Sequence, residues 1–248
     1  MKISVITPSL NAAATIGYTV ESFLGQSYKD AELLIIDGES DDRTVQLVKS
    51  FGSDRIKVHE TPPRGIFNAM NMGLRLFAGD AVGVLNADDK FHDPEVLGDI
   101  AQALGHHDVV HGHIDMISAQ NTSKIIRRWR SGPYYEGSFR RGWMPAHPSF
   151  YVRRRVIDEV GAFDETMRIA GDYDFMLRVL EVGGFTPFLL ERVMVDMAYG
   201  GASTRGPGAY WTGNVESLIS RQKWLGAGPI DLAFFAKPLR KVKQWINV

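Results

Sequence analysis

Cysteine is absent from the 248 residues, which excludes disulfides, thiolate metal sites and a cysteine nucleophile, and suits a reducing compartment. No apolar run approaches the roughly 18 residues of a membrane span. Residues 1–8 carry too short an apolar stretch for a signal peptide and read as a strand. A large net charge is also missing: the balance is -1, so nothing general argues for nucleic acid or a strongly acidic partner. Two phosphate-binding signatures are lacking as well. There is no G-x-G-x-x-G after the first strand and no G-x-x-x-x-G-K-S/T anywhere, so neither a Rossmann dinucleotide site nor a P-loop is expected.

What is present is ordinary globular material, 44% apolar and 23% charged, long enough for one large domain or a domain with a C-terminal extension. The charge is unevenly spread. Residues 121–155 hold nine basic side chains against the single acid Glu136, and residues 221–248 hold six against Asp231. The first half is acidic and the later segments carry the positive field.

Residues 81–85 are small or apolar without a charge, as in a strand buried on both faces of a parallel sheet. The chain then places Asp88 beside Asp89 just after Asn86. Neighbouring carboxylates repel unless a cation sits with them, and a hard divalent ion is the usual choice. Ligands of open α/β sheets gather at the carboxyl ends of strands, so these acids are placed to hold a metal and, through it, a phosphate. The plain alternative is that they solvate a loop ahead of the helix after Pro94.

Strand and helix alternate over the first hundred residues. Strands are expected at 3–7, 32–36, 55–59, 81–85 and 108–112. Helices are expected from a cap at Asn11 to about Gln26, over 45–51, over 65–77, and from an Asp93-Pro94-Glu95 start. That pattern calls for a parallel sheet with helices on both faces. Beyond Gly112 a hairpin over 114–129 turns at 120–123, a strand covers 148–152, a helix follows at 155–160, and another opens at 171–174. The polar residues Thr7, Ser9, Asp37 and Asn86 through Asp89 all fall at ends of parallel strands, which are neighbours in a doubly wound sheet. His106, His107, His111 and His113 read as surface or edge residues, and Asp174 as an acid serving the helix dipole.

The ordered series 5–11, Asp37-Gly38-Glu39-Ser40-Asp41 within 36–44, 64–73, Asn86-Ala87-Asp88-Asp89, 145–150 and Gly171-Asp172-Tyr173-Asp174 resembles the family 2 glycosyltransferases, which have the GT-A fold. The likeness spans about residues 1–205. It implies an α/β, doubly wound, mostly parallel sheet: a nucleotide-sugar-binding half at 1–113, an acceptor-side α+β portion at 114–208, and a helical, basic-aromatic extension at 209–248. It also implies inverting transfer of a sugar from a nucleoside-diphosphate sugar to a hydroxyl of a glycan or lipid-linked acceptor. By that analogy Thr7, Ser9 and Asp37 hold the nucleoside, Asp37 at the base, and Asp88 ligates Mg²⁺ or Mn²⁺.

Two positions depart from the family pattern. Asn86 stands where the first acid of the metal motif is expected, and Gly171 stands before Asp172 where the family carries an acid. Asp172 remains as the candidate base, with helix capping as its structural alternative. His147 is assigned to the acceptor or diphosphate, Arg64 to the base or phosphate, and Arg205 to a loop closing over the diphosphate. A nucleotidyltransferase, or a sugar-nucleotide-binding module without turnover, are the rival functions. The basic-aromatic tail is read as a membrane-surface contact, a packing segment or a dimer contact. The expected location is cytoplasmic, with peripheral attachment at the inner face of the plasma membrane if the tail binds lipid.

Overall fold

A computed structural model describes residues 1–118, 124–200, 206–234 and 236, with Pro207 in its backbone alone. The first half runs β1 (Ile3–Ser9), α1 (Ile16–Leu24), β2 (Ala31–Asp37), α2 (Thr44–Ser50), β3 (Ile56–Glu60), α3 (Ile66–Leu76) and β4 (Ala81–Val84). Then follow β5 (Lys90–Phe91), α4 (Val96–Leu104), β6 (Val109–Ile117) and β7 (Ile125–Trp129). The chain continues as β8 (Tyr151–Arg153), α5 (Arg154–Val160), α6 (Gly171–Leu177) running on through a π-helical turn at Arg178–Val182, β9 (Phe188–Ala198) and α7 (Pro207–Leu225).

All strands join one sheet in the order β3-β2-β1-β4-β8-β6-β9-β5, with β7 paired to β6. The β3-β2-β1-β4 block is parallel, as the alternating pattern predicts. Its strands are apolar on both sides because both faces are covered. Leu33 and Ile35 point to one core with Ile16, Val20, Phe23 and Ile100, whereas Leu34 and Ile36 point to the other with Phe67, Met70, Tyr173 and Leu177. Each such side chain contributes about 1.5–3 kcal/mol on burial. One acid is threaded through this block. Glu32 is buried and accepts from Lys2 Nζ (2.8 Å), Lys57 Nζ (2.8 Å), Ser4 Oγ (2.7 Å) and Ala78 N (2.7 Å). Burial raises its pKa, but these donors outweigh burial and bring it down to about 2.

Several local expectations are corrected. Helix α1 begins after Thr15, not at Asn11, because Asn11 adopts φ 50° and spends its side chain on the neighbouring loop. Pro94 lies in the turn ahead of α4, where Asp93 Oδ1 accepts from Glu95 N at 2.9 Å. The segment expected as a strand at 148–152 begins as a 3₁₀ turn at His147–Ser149. Its strand, β8, lies antiparallel between β4 and β6. His111 and His113 are buried rather than at an edge, since β6 is an interior strand and Trp143 packs edge-on against His111 at 5.8 Å. β6 runs unbroken through position 113, so sheet continues from the first half into the second. The turn expected at 120–123 lies outside the described residues.

The described part of the C-terminal extension is helical and docked, not detached. Helix α7 reaches α6 through Arg221, whose Nη1 donates to Tyr173 Oη at 2.9 Å while Nε and Nη2 pair with Asp231. Trp224 Nε1 donates to Asp174 Oδ1 at 2.9 Å, and Arg178 Nε donates to Asp174 Oδ2 at 2.8 Å. Asp174 is therefore a fully buried ion-pair member, beyond its place in the first turn of α6.

Candidate active site

The carboxyl ends of β1 and β2 are stitched by polar side chains. Ser9 pairs in register with Asp37, and its hydroxyl donates to Asp37 Oδ2 at 2.7 Å. Ser40 donates to the same carboxylate twice, from its N (2.8 Å) and its Oγ (2.8 Å). Asn11 Oδ1 accepts from Asp41 N at 3.0 Å, and Ser40 Oγ accepts from Asn11 N at 2.8 Å. Both loops hold a residue other than glycine with positive φ, Asn11 at 50° and Glu39 at 55°. Such strain persists where the surroundings over-determine the backbone, commonly beside a ligand.

After β4 the two adjacent acids part company. Asp88 is exposed and faces the cavity described below. Asp89 is buried, its Oδ2 accepting from Asn86 Nδ2 (2.9 Å) and its Oδ1 from Ala198 N (3.0 Å), which ties the loop to β9. Burial first, and the Asp88 charge second, push the Asp89 pKa well above the usual carboxylate range. Asn86 turns its amide nitrogen to Asp89 and leaves Oδ1 buried without a hydrogen-bond partner among the described residues. A buried oxygen without a donor is a ready ligand for a cation or a hydroxyl.

Asp172 sits in the first turn of α6, whose start is fixed from a distance. Glu216 on α7 accepts from the backbone N–H groups of Arg168 (2.9 Å), Ile169 (2.9 Å) and Ala170 (2.7 Å), so one side chain satisfies the donors leading into the helix. Gly171 is required by packing: a Cβ there would lie 2.8 Å from the Phe67 ring. The ring takes the space that any side chain at 171 would need. Phe67 lies in the first turn of α3, which begins at Ile66 after Gly65 turns the chain at φ 99°. His147 is beside Asp172: burial pulls its pKa down and the Asp172 charge opposes that, leaving a neutral imidazole at neutral pH.

These elements enclose a cavity of about 680 Å³, a volume usual for small-molecule sites. Ser9, Arg64, Asn86, Asp88, His147 and Asp172 all line it. Thr7 and Asp37 do not. Thr7 donates to Leu85 O at 2.7 Å and Asp37 is consumed by its three hydrogen bonds, so both lie buried beneath the wall. Arg205, and residues 237–248 of the basic tail, lie outside the described residues. Sequence reasoning missed Phe67, Met116, Arg127, Trp129, Tyr210 and Asn214, which also line the cavity. Of these, Arg127 and Trp129 carried a signal, the period-2 spacing of one strand face.

Among the described residues no group of three or more His, Asp or Glu side chains could hold a metal by itself. Asp88 with the unpartnered Asn86 Oδ1 offers two oxygen ligands. That fits a hard cation completing its shell with water and substrate phosphate, the habit of Mg²⁺.

A family model described as glycosyl transferase family 2 matches residues 4–161. A glycosyltransferase of PGL/p-HBAD biosynthesis from Mycobacterium bovis is 28% identical over 200 residues, covering 77% of this chain and 73% of the relative. Among solved structures, residues 1–349 of S. aureus TarS in complex with UDP-GlcNAc superpose with a TM-score of 0.67 at 18% identity, covering 100% of this chain and 79% of that one. The mannosyltransferase PcManGT from Pyrobaculum calidifontis, in complex with GDP-Man and Mn²⁺, gives 0.67 at 18% identity, covering 100% and 70%. These two likenesses carry the GT-A fold.

Proposed function

The chain belongs to glycosyl transferase family 2, and on that premise we propose that it moves a sugar from a nucleoside-diphosphate sugar to a hydroxyl of a glycan or lipid-linked acceptor, with inversion at the anomeric carbon. The observation that carries this reading is that Asp88 and Asp172, from distant parts of the chain, open onto one cavity. The nucleoside is assigned to the end walled by Ser9, Asn11, Pro62 and Arg64, above the buried Asp37 carboxylate. Asn86 and Asp88 would hold Mg²⁺ or Mn²⁺ with the diphosphate. A divalent cation there supplies positive charge against the negative charge growing on the departing nucleoside diphosphate.

Asp172 is the base. As the acceptor oxygen bonds the anomeric carbon and the carbon–phosphate-oxygen bond breaks, the hydroxyl proton passes to an Asp172 carboxylate oxygen. Neutral His147 contacts acceptor or diphosphate beside it without adding charge. Incubation with a panel of UDP- and GDP-sugars and Mn²⁺ tests the reading through release of nucleoside diphosphate. Asp172→Asn should lower turnover by about 10²–10⁴-fold while donor still binds. An unchanged rate removes Asp172 as base, and tight donor binding without any release favours the module without turnover.

No helix among the described residues is long and apolar enough to cross a membrane. Exposed Trp211, Ile219, Ile230 and Leu232 on and after α7 support peripheral attachment to the cytoplasmic membrane face. Liposome co-sedimentation of the full chain tests that placement, and equal recovery with and without lipid ends it.

A further inference from the structure

One oxygen of the Asp172 carboxylate is already engaged. Oδ1 accepts from the backbone N–H of Tyr173 at 2.7 Å, which leaves Oδ2 for the proton of an incoming hydroxyl. The orientation of the base therefore depends on where residue 173 is held. Tyr173 lines the cavity, and its ring meets Phe139 edge-on with centroids 5.1 Å apart. Burial raises the phenol's pKa to about 12, so the hydroxyl is neutral and its oxygen accepts from Arg221 Nη1 at 2.9 Å. Arg221 is itself only 1% exposed. Its other edge is taken by Asp231, with Nε donating to Oδ2 (2.5 Å) and Nη2 to Oδ1 (2.8 Å). Two parallel bonds of this kind fix the plane of a guanidinium. They add little net stability, because desolvating the charges offsets most of their attraction. Apolar burial also contributes little at this point, since Ile230 and Leu232 on either side of Asp231 are 65% and 69% exposed. What the pair does fix is the direction of Arg221 Nη1 toward Tyr173.

We propose that Asp231 is a positioning residue for the reaction: it fixes Arg221, which holds the Tyr173 side chain and so the N–H that orients the Asp172 carboxylate. Other bonds from α7 brace the same turn at different points. Glu216 holds the backbone ahead of α6, and Trp224 holds the side chain of Asp174. Arg221 supplies the hold at the residue between Asp172 and Asp174. Residue 231 lies well beyond residues 4–161, the stretch that the family model matches. Control of the base by this contact therefore belongs to the C-terminal extension and not to the nucleotide-binding half.

The inference rests on Asp172 acting as the base of a glycosyltransferase, and it is tested both with and without turnover. Variants of the full chain are assayed with UDP- and GDP-sugars and Mn²⁺ for release of nucleoside diphosphate. Asp231→Asn should lower kcat about five- to tenfold, with donor KM and the calorimetric affinity for UDP or GDP within twofold of the parent. Asp231→Glu, which keeps the charge, should recover most of the rate. Tyr173→Phe removes the hydroxyl that Arg221 holds, so adding Asp231→Asn to it should cost less than twofold more. The double variant Arg221→Met with Asp231→Leu replaces the whole ion pair by apolar side chains. It should melt near the parent temperature yet turn over as slowly as Asp231→Asn. Without turnover, deuterium exchange at the Tyr173 amide should quicken severalfold in Asp231→Asn, while the amides of β1 and β2 keep their rates. An unchanged kcat in Asp231→Asn, a loss matched in nucleotide affinity, or no recovery in Asp231→Glu would each overturn the proposal. So would full additivity with Tyr173→Phe, a double variant that melts far lower or turns over at the parent rate, or faster exchange throughout the sheet. If no UDP- or GDP-sugar yields nucleoside diphosphate with the parent chain, the glycosyltransferase reading falls instead, and the amide exchange alone decides whether Asp231 orders residue 173.

Discussion

Replacing Gly171 by alanine probes how the catalytic helix is seated. A Cβ at this position would lie 2.8, 2.9 and 2.9 Å from three atoms of the Phe67 ring. Carbon pairs rest at about 3.5–4.0 Å, so ring or helix must retreat by roughly 0.7 Å or more. The ring has little freedom, being buried and stacked on Phe163 at 6.0 Å between centroids. Overpacking of this kind costs about 1–3 kcal/mol, against a helix-propensity gain of at most about 1 kcal/mol. Gly171→Ala should therefore destabilise by about 1–2 kcal/mol in urea unfolding. Because Asp172 is the next residue, turnover should fall about tenfold, within the roughly 10² that a 1 Å misplacement can cost. Phe67→Leu frees the space, so the double variant should recover at least about 1 kcal/mol relative to the sum of the singles. Additivity within about 0.5 kcal/mol would refute the reasoning, since it would mean that the ring does not set the position of α6.

Glu32→Gln should cost on the order of 3 kcal/mol at pH 7, from a carboxyl lowered from 4.5 to about 2 at about 1.36 kcal/mol per unit. The folded value is the depressed one, so this stability is complete above the unfolded carboxyl's pKa and is lost as pH falls through about 2. Urea midpoints at pH 7 and pH 3 should converge between parent and variant. Asn86→Asp removes the amide donor to Asp89 and adds a second acid beside that buried carboxyl. The metal-free variant should melt lower, and Mn²⁺ should narrow the gap; a gap insensitive to Mn²⁺ counts against a cation at this loop. Glu216→Ala strips three backbone N–H groups of their acceptor ahead of α6. It should lower kcat several-fold with donor KM little changed, and a KM effect alone would make Glu216 a binding residue rather than a positioning one.

The parallel block was legible because its strands are buried on both faces, and a short continuous apolar run such as residues 33–36, bounded by polar residues, suits little besides an interior strand. The loop acids were legible because they follow such a strand directly. What pattern could not separate was Asp88 from Asp89, since adjacent residues share a composition and differ only in which way the turn points them. His111 and His113 were misplaced for a related reason. Alternation places them on one face of β6 but cannot tell that β8 and β9 flank that strand. Long-range partners were invisible for the same cause: Glu216 matters only after α7 is folded against α6, and Arg127 only after β7 lies along β6. Its place in a cluster of nine basic residues gave no sign of which of them the fold buries.

The arrangement of buried polar groups divides the site into a stiff half and a chargeable half. Under the nucleoside wall, Thr7, Ser9, Asp37, Ser40 and Asn11 satisfy one another or nearby backbone. Closed networks of that kind fix geometry and present no unmet demand. Toward the reaction centre and beyond it, two cavity-lining side chains hold buried atoms without a hydrogen-bond partner among the described residues: Asn86 Oδ1, an acceptor, and Arg127 Nε and Nη2, donors. An acceptor oxygen near Asp88 suits a cation, while an unpaired buried guanidinium is a cost the fold carries. A buried polar group left unmet costs about 1–3 kcal/mol, so the stability given up at this site lies toward the reaction centre and not under the wall formed by β1 and β2.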